Sequence, residues 1–295
     1  MTIDRREFLA TSAAAVAAAC HHAGEDKNKK KYKKAVKIGM VRIKGSILDK
    51  FKLLKELGFD GVELDSPSNL DVKEVLAARD KTGLEIPGVV DSVHWRASLS
   101  DPDPAMRAKG VDALKTALRD AKTYGGTSVL LVPAVVKKDV PYDVAYERSQ
   151  AEIRKVLPLA EKLGIKIAIE NVWNNFLVSP LETARYVDEF KSPMVAVHFD
   201  VGNVLRYGWP EHWIRILGRR IVKLDIKEYS LEIANNEGLR KGFRVELLEG
   251  DCDWPAVMKA LRDIDYTGWG TAEIPGGGRE RLQEIAQRMD RIFAS

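Results

Sequence analysis

Residues 220–229, RIVKLDIKEY, combine the alternation of a β-strand with an unusual set of charges. One face of such a strand would carry Val222, Leu224 and Ile226, and the other would carry Lys223, Asp225 and Lys227. The apolar face suits packing against helices, whereas the charged face needs a polar place inside the protein or at the end of the strand. The fold must therefore provide an interior where carboxylates and ammonium groups meet.

Seven other short runs rich in Val, Ile and Leu resemble this segment, which gives eight predicted strands. They cover residues 35–41, 61–65, 85–90, 128–133, 166–171, 194–200, 221–227 and 268–274. The stretches between them carry apolar residues three and four apart, as amphipathic helices do. Several of these stretches end in glycine, the residue that favours the left-handed conformation closing a helix. These glycines are Gly58, Gly83, Gly125, Gly164 and Gly218.

Eight successive strand-helix units in residues 36–295 predict an α/β fold of the (β/α)8 TIM barrel type, formed by a single domain. An open doubly wound sheet is the alternative, because right-handed crossovers permit both folds. The segment after the first predicted strand, GMVRIKGS (39–46), lacks the G-x-G-x-x-G spacing of a dinucleotide site. The sequence therefore favours the barrel.

Composition and charge restrict the class of partner. The chain has 295 residues, of which 45% are hydrophobic and 31% are charged, as in an ordinary globular protein. Its net charge of +4 arises in residues 1–35, which hold eight Lys and Arg against four acids, while residues 36–295 are balanced at 39 of each sign. We therefore expect no nucleic-acid partner.

The N-terminal segment has the plan of an export signal. Arg5-Arg6 followed by Phe8-Leu9 resembles a twin-arginine signal, and the small residues before Cys20 resemble a lipoprotein cleavage box. We expect residues 1–20 to be this signal, and an Ala-rich helix is the alternative. Residues 21–35 would be a Lys-rich tether, and the protein would be exported, periplasmic or anchored to the membrane by a lipid on Cys20. Cys252 would then be the only cysteine of the mature domain, so no internal disulfide could form.

Polar side chains cluster where the predicted strands end, which is where TIM barrels place their chemistry. Four acids on the last four strands share the inward-facing parity: Glu170, Asp200, Asp225 and Glu273. Their charges would repel one another unless a cation lay among them. Oxygen ligands favour a divalent ion such as Mn²⁺, Mg²⁺ or Co²⁺ over Zn²⁺. The alternative is that each acid is paired with a separate Lys or Arg, with Lys223 and Lys227 as the partners of Asp225.

With these residues the chain resembles the xylose isomerase-like TIM barrel superfamily, which includes sugar phosphate isomerases and epimerases and AP endonuclease 2-like proteins. The resemblance covers the chain from about residue 36 to its end and rests on the order and spacing of six segments. They are GFDGVEL (58–64), IAIEN (167–171), HFDVGN (198–203), IVKLDIKE (221–228), EGDCDWPAVMKAL (249–261) and YTGWGTAEI (266–274).

The resemblance implies roles for individual residues. Epimerases of this superfamily hold their metal with Glu, Asp, His and Glu, which correspond here to Glu170, Asp200, Asp225 and Glu273, so that Asp225 replaces the usual His. Glu170 and Glu273 would also move the proton while the metal stabilises an enediolate. The loop after strand 7 carries Arg244 and would cover the barrel mouth. Candidates for binding substrate are Glu63, His94, Asn171, His198, Asn203, Lys227 and Arg244.

The implied function is that of a metal-dependent sugar isomerase or epimerase. An exported keto-glycoside lyase using the same metal site is one alternative, and a non-catalytic carbohydrate-binding barrel is another. Endonuclease chemistry needs a His-rich trinuclear zinc site, for which His94, His198 and His212 are too few. The partner would be a sugar or keto-sugar, and the sequence leaves open whether the protein forms a homo-oligomer.

Overall fold

The computed structural model describes residues 31–295, which form a closed barrel of eight parallel strands in chain order. The strands are β1 Tyr32–Lys37, β2 Gly61–Ser66, β3 Gly88–Asp91, β4 Ser128–Leu131, β5 Lys166–Glu170, β6 Val195–Asp200, β7 Ile221–Ile226 and β8 Gly268–Ala272. Pairing of β1 with β8, in the register Tyr32 to Gly268 through Val36 to Ala272, closes the barrel. The predicted TIM barrel is therefore confirmed, and the open sheet is excluded.

The described residues contain ten α-helices, mostly in the connections between strands. They are α1 Ile47–Glu56, α2 Val72–Thr82, α3 Pro104–Tyr124, α4 Tyr142–Leu163, α5 Pro180–Asp188, α6 Val201–Val204, α7 Pro210–Leu217, α8 Leu231–Glu237, α9 Trp254–Asp263 and α10 Arg279–Ala294. Gly83, Gly125 and Gly164 close α2, α3 and α4 in the left-handed conformation, as the sequence predicts. None of the helices within residues 31–295 has the length and apolar character needed to cross a membrane.

The first strand begins earlier than the sequence suggests. Residues 32–35 were predicted to belong to the tether, but they lie in β1 and pair with β8. The lysines that suggest a solvated tether are held in place, since Lys34 is buried and its Nζ lies 2.7 Å from Asp290. The signal at residues 1–20, the tether up to residue 30 and the lipid site at Cys20 lie outside the described residues.

The other strand boundaries lie within two residues of the prediction, except at the end of β1 and the start of β3. β1 stops at Lys37 because Ile38–Met40 form a 3-10 turn. β3 begins at Gly88 rather than at residue 85, and Pro87, which has no backbone N–H for the ladder, immediately precedes it. Neither difference affects β5 to β8, the strands whose inward-facing acids were predicted from parity.

The apolar core lies between the outer faces of the strands and the helices. On β6 the residues of one parity, Val195, Val197 and Phe199, are all buried in this core. The opposite parity carries Ala196, His198 and Asp200, which are buried inside the barrel. The alternation that identifies a strand in the sequence thus also sorts the side chains between the core and the site.

Candidate active site

Four carboxylates meet at the C-terminal end of the barrel. Glu170 and Asp200 end β5 and β6, Asp225 lies near the end of β7, and Glu273 directly follows β8. Each offers one oxygen, and these four oxygens lie within 4.8 Å of one another. We call these four residues the acidic cluster. Glu170, Asp200 and Asp225 are buried, whereas the Glu273 side chain is 38% exposed.

Asp200 is held by the short helix that it caps. Its Oδ1 accepts a hydrogen bond from the backbone N–H of Asn203 at 2.8 Å, which leaves Oδ2 directed to the cluster. Asn171 exchanges two hydrogen bonds of 2.8 Å with the backbone of Asp200. The amide of Asn203 in turn donates to the Asn171 carbonyl at 3.0 Å and approaches Glu170 Oε1 at 3.5 Å. Asn171 and Asn203, predicted to bind substrate hydroxyls, thus hold Asp200 and Glu170 in position.

A layer of buried ion pairs lies beside the acidic cluster. Lys37 Nζ is 2.9 Å from Glu63 Oε2 and 2.9 Å from Asp225 Oδ1. Lys223 Nζ is 3.1 Å from Glu63 Oε1. His198 Nε2 is 2.9 Å from Asp225 Oδ1. Glu63 and His198, which the sequence suggested for substrate binding, therefore belong to a network that supports Asp225.

Lys37 is the site residue that the sequence reasoning missed. It occupies the last position of β1, between the apolar residues Val36 and Ile38. Lys37 is the only charged residue in the predicted strand AVKIGMV (35–41). A charge within an apolar run is the signal that identified Asp225, and it would have marked Lys37 as a residue of the barrel interior.

The lysines do not pair as the alternative interpretation required. Lys227 was considered a partner of Asp225, but its Nζ lies 2.7 Å from Asp200 Oδ2 and 2.7 Å from Glu273 Oε2. Lys223, the other proposed partner, pairs with Glu63. Three of the four cluster acids thus contact a lysine, Asp225 through Lys37 and the other two, Asp200 and Glu273, through the shared Lys227. Glu170 has no ion pair within the described residues, so the alternative holds only in part and with other partners than expected.

Burial and mutual repulsion dominate the electrostatics of the cluster. Burial, reinforced by Glu273 and Asp225, raises the pKa of Glu170 well above its usual range. Burial also raises the pKa of Asp200 to about 7, although Lys227 opposes the shift. For Asp225 the penalty of burial is outweighed by His198 and Lys37, which hold the pKa of this carboxyl well below its usual range.

The cluster fits a divalent cation. Within residues 31–295, well-aligned hydrogen bonds are absent at Asp200 Oδ2, at both oxygens of Asp225 and at Glu273 Oε2. The four cluster carboxylates and Glu63 face three ammonium groups, those of Lys37, Lys223 and Lys227. Carboxylates thus outnumber ammonium groups in this part of the site by two, an excess that favours binding of a cation. The oxygen donors suit a hard ion.

His94 lies near this network as a neutral group. Its Nδ1 accepts a hydrogen bond from the backbone N–H of Val132 at 3.3 Å, so the ring carries its proton on Nε2. Burial, assisted by the charge of Lys37, lowers the pKa of His94 to about 4. The Nε2–H is therefore a donor at neutral pH, as hydroxyl recognition would require.

The segment after β7 is anchored by Glu228 and reaches over the cluster with Phe243. Glu228 accepts hydrogen bonds from the backbone N–H groups of Leu248 and Cys252, at 2.9 and 3.0 Å, and from the Trp254 indole at 2.8 Å. The Phe243 ring centroid lies 5.4 Å from Lys227 Nζ. Arg244 is exposed and has no hydrogen bond or ion pair within the described residues, so its predicted contact with substrate stays a prediction.

The fold and the cluster together define a TIM-barrel protein with an acidic centre at the ends of its last four strands. The sequence profile described as "Xylose isomerase-like TIM barrel" matches residues 51–293. The chain therefore belongs to the xylose isomerase-like TIM barrel family, as its sequence motifs suggested.

Individual relatives support the same placement. The chain is similar to L-ribulose-5-phosphate 3-epimerase UlaE of Escherichia coli O1:K1 / APEC, with 26% identity over 274 residues, covering 84% of this chain and 89% of the relative. The solved structure of 3-keto-D-glucoside 4-epimerase YcjR from E. coli has a TM-score of 0.74 and 18% identity, covering 90% of this chain and all of the other. The structure of IolI with a bound zinc atom has a TM-score of 0.72 and 15% identity, covering 89% of this chain and 98% of the other. The two structural matches establish the fold.

Proposed function

We propose that this protein is a metal-dependent carbohydrate epimerase or isomerase that moves a proton at the carbon next to a sugar carbonyl. The observation that carries the proposal is the convergence of four carboxylate oxygens within 4.8 Å at the barrel mouth. The similarity to UlaE, a sugar phosphate 3-epimerase, supports the same class of reaction.

Glu170, Asp200, Asp225 and Glu273 would hold the metal. A divalent ion bound by them would supply Lewis-acid polarisation of a sugar carbonyl. We favour Mn²⁺, Mg²⁺ or Co²⁺ because the donors are oxygens. Zinc remains an arm of the test, since the structural neighbour IolI was solved with a zinc atom.

Glu170 and Glu273 are suited to exchanging protons with the substrate. Glu170 is buried, and burial together with the neighbouring carboxylates raises its pKa, which suits a carboxyl group that takes up and returns a proton. Glu273 is more exposed and is held at 2.7 Å by Lys227, so it approaches the site from the solvent side. A sugar bound between these two carboxyl groups would lose a proton from one face and regain it on the other.

The experiment is solvent-exchange analysis of the full-length protein. It would be stripped of metal, reloaded separately with Mn²⁺, Co²⁺, Mg²⁺ or Zn²⁺, and incubated in D₂O with free ketoses and with 3-keto-glycosides. We expect an epimer or isomer carrying one deuterium next to the carbonyl, and loss of this product in Glu170→Gln and Glu273→Gln. Glu232→Gln, an exposed Glu in α8, is the matched control. Absence of deuterium from every sugar with every metal would refute the proposal.

A keto-glycoside lyase is the second candidate. The structural neighbour YcjR is a 3-keto-D-glucoside 4-epimerase, so a barrel of this shape accommodates a keto-glycoside. Proton removal at the same carbon would then be followed by loss of the aglycone. Release of the aglycone from a 3-keto-glycoside supports the lyase, whereas an intact glycoside with inverted configuration supports the epimerase. A carbohydrate-binding barrel without catalysis would bind the sugar and give neither product.

We also propose export, which would make unphosphorylated sugars the appropriate substrates. The support is the pair Arg5-Arg6 and the small residues before Cys20. Fractionation of cells that express the full chain would place the protein outside the cytoplasm. Replacing both arginines by lysine should retain it inside, and Cys20→Ala should remove labelling by a fatty-acid analogue. An unchanged distribution of the arginine variant would contradict export, and unchanged labelling of Cys20→Ala would contradict the lipid anchor.

A further inference from the structure

Lys227 places its ammonium group among the carboxylates that are proposed to bind the metal. Its Nζ lies 2.7 Å from Asp200 Oδ2 and 2.7 Å from Glu273 Oε2, and both residues belong to the acidic cluster. A divalent ion held by the same four residues would need oxygens that this ammonium already contacts. The ammonium and the ion therefore compete for the same positions.

The other two lysines of the site are held differently. Lys37 and Lys223 donate well-aligned hydrogen bonds to the two oxygens of Glu63, at 2.9 and 3.1 Å. The two ion pairs of Lys227 within the described chain are both with oxygens of the acidic cluster, Asp200 Oδ2 and Glu273 Oε2. Lys37 and Lys223 also lie within strands, whereas Lys227 follows the last residue of β7. Of the three ammonium groups, Lys223 contacts no cluster oxygen and Lys37 contacts one, on Asp225, whereas Lys227 contacts two.

The displaced ammonium has a place to go. The side chain of Lys227 is 16% exposed, and its Nζ lies 5.4 Å from the Phe243 ring centroid. An aromatic face attracts an ammonium group, and more strongly when water is excluded. The backbone of Lys227 can stay fixed meanwhile, because the Cys252 thiol lies 3.6 Å from its carbonyl oxygen. A rotation of the side chain alone would clear the cluster.

We propose that Lys227 is an exchangeable counter-cation of the acidic cluster, displaced towards Phe243 when a divalent ion binds. This inference rests on the proposed metal centre and adds a role for a residue that would otherwise only contact substrate. In the metal-free protein the ammonium neutralises part of the repulsion between the carboxylates. When the ion is bound, the ammonium lies at the edge of the site, and the protein loses metal affinity for having to displace it.

Calorimetric titration of the metal-free, full-length protein with Mn²⁺ tests this role without substrate. Lys227→Met removes the competing ammonium and preserves much of the side-chain length, so we expect its Kd for Mn²⁺ to be at least about tenfold lower than that of the wild type, a difference that corresponds to ~1.4 kcal/mol. Lys227→Arg retains the cation and should bind no more tightly than the wild type. Lys223→Met is the matched control, because it removes one positive charge beside Glu63 without freeing a cluster oxygen.

The outcomes separate this inference from the proposed reaction. If Lys227→Met binds Mn²⁺ no more tightly than the wild type, or if Lys223→Met tightens binding equally, Lys227 does not compete for the site. Absence of binding in both the wild type and Lys227→Met also overturns the inference. Should Lys227→Met not fold, Lys227→Gln and its Mn²⁺-induced rise in Tm provide the same comparison. Tighter binding by the variant supports the inference even if no sugar proves to be a substrate.

Discussion

Asp225 is the residue at which the two parts of the site meet, since it contacts Lys37 and His198 and also belongs to the acidic cluster. Asp225→Asn should therefore lower both stability and metal affinity. Removing one partner of a buried ion pair costs roughly 3–5 kcal/mol, and the similar shape of Asn should place the loss at or below the lower end. Urea denaturation and Mn²⁺ titration would measure the two effects.

A nearby carboxylate provides the control for Asp225→Asn. Asp65→Asn changes an exposed residue of β2 that lies outside the cluster, and it should leave the Mn²⁺ affinity unchanged. Equal loss of affinity in both variants would mean that the total charge of the barrel mouth matters more than ligation by Asp225.

Asp91 gives the barrel a pH-dependent stability. Burial raises the pKa of this carboxyl from 3.8 to about 7, although the backbone N–H of Val93 opposes the shift. Between these two pH values the folded protein holds a proton that the unfolded chain has released, so the free energy of unfolding falls as the pH rises. This contribution is fully present below pH 4 and is lost as the pH passes 7.

Asp91→Asn should remove that dependence. Between pH 5 and pH 8 we expect the wild type to lose about 2–3 kcal/mol relative to the variant, since each pKa unit corresponds to about 1.4 kcal/mol. Urea denaturation of both proteins at the two pH values provides the measurement, and the other titrating groups cancel in the difference. Parallel pH profiles would show that the Asp91 carboxyl is not perturbed in this way.

At the scale of elements, the contact between α6 and the end of β7 depends on a glycine. A Cβ on Gly202 would lie 2.8 Å from the Lys227 carbonyl oxygen and 2.9 Å from its Cγ. Gly202→Ala should push the short helix capped by Asp200 away from β7, at a cost of roughly 1–3 kcal/mol. The same displacement should weaken Mn²⁺ binding. Both quantities would be compared with Gly164→Ala, a residue whose added Cβ would meet nothing within 4 Å.

The Gly164 control tests backbone strain separately from contact. Gly164 has a φ of 68°, so its substitution lowers stability through the left-handed backbone. It should nevertheless leave the metal affinity unchanged. Weakened Mn²⁺ binding in Gly164→Ala would indicate a general loosening of the barrel and not a local effect of α6.

The elements and their inward faces could be predicted from the sequence because strand alternation is local. The acids of the cluster were identified in this way, since each lies at the end of an apolar run. Their partners could not be assigned, because the pairing of Lys37 with Asp225 joins strands 188 residues apart in the chain. The direction of a long lysine side chain inside a barrel depends on the neighbours that fill the remaining space. Gly88 illustrates this point. Its missing side chain leaves the space that Lys223 Nζ occupies, and a Cβ there would collide with this nitrogen.

At the scale of the whole molecule, closure of the barrel requires the residues that resemble a tether. A chain that begins at residue 31 keeps all of β1 and should fold like the full-length protein. A chain that begins at residue 37 loses the residues that pair with β8 and exposes two strand edges. We expect it to aggregate or to lose its cooperative thermal transition. Circular dichroism and gel filtration would distinguish the two chains, and equal behaviour would contradict the observed closure.

Metal removal should also act on the whole molecule. A ligand that binds only the folded state stabilises it by about 2.7 kcal/mol at a concentration one hundred times its Kd. Mn²⁺ should therefore raise the Tm of the stripped protein, and a chelator should reverse the change. Glu170→Gln, which lacks one cluster carboxylate, should show a smaller rise. An unchanged Tm at saturating metal would argue against a metal centre in the folded barrel.

Glu228 fixes both ends of the segment that follows β7. Its carboxylate binds Leu248, Cys252 and Trp254 directly beside the end of β7, so both ends of the intervening segment are fixed to the barrel at one point. The residues between these ends, including Phe243, form a cassette whose exchange would leave the strands in place. Replacing this segment should then change what binds at the barrel mouth, while the acidic cluster stays untouched.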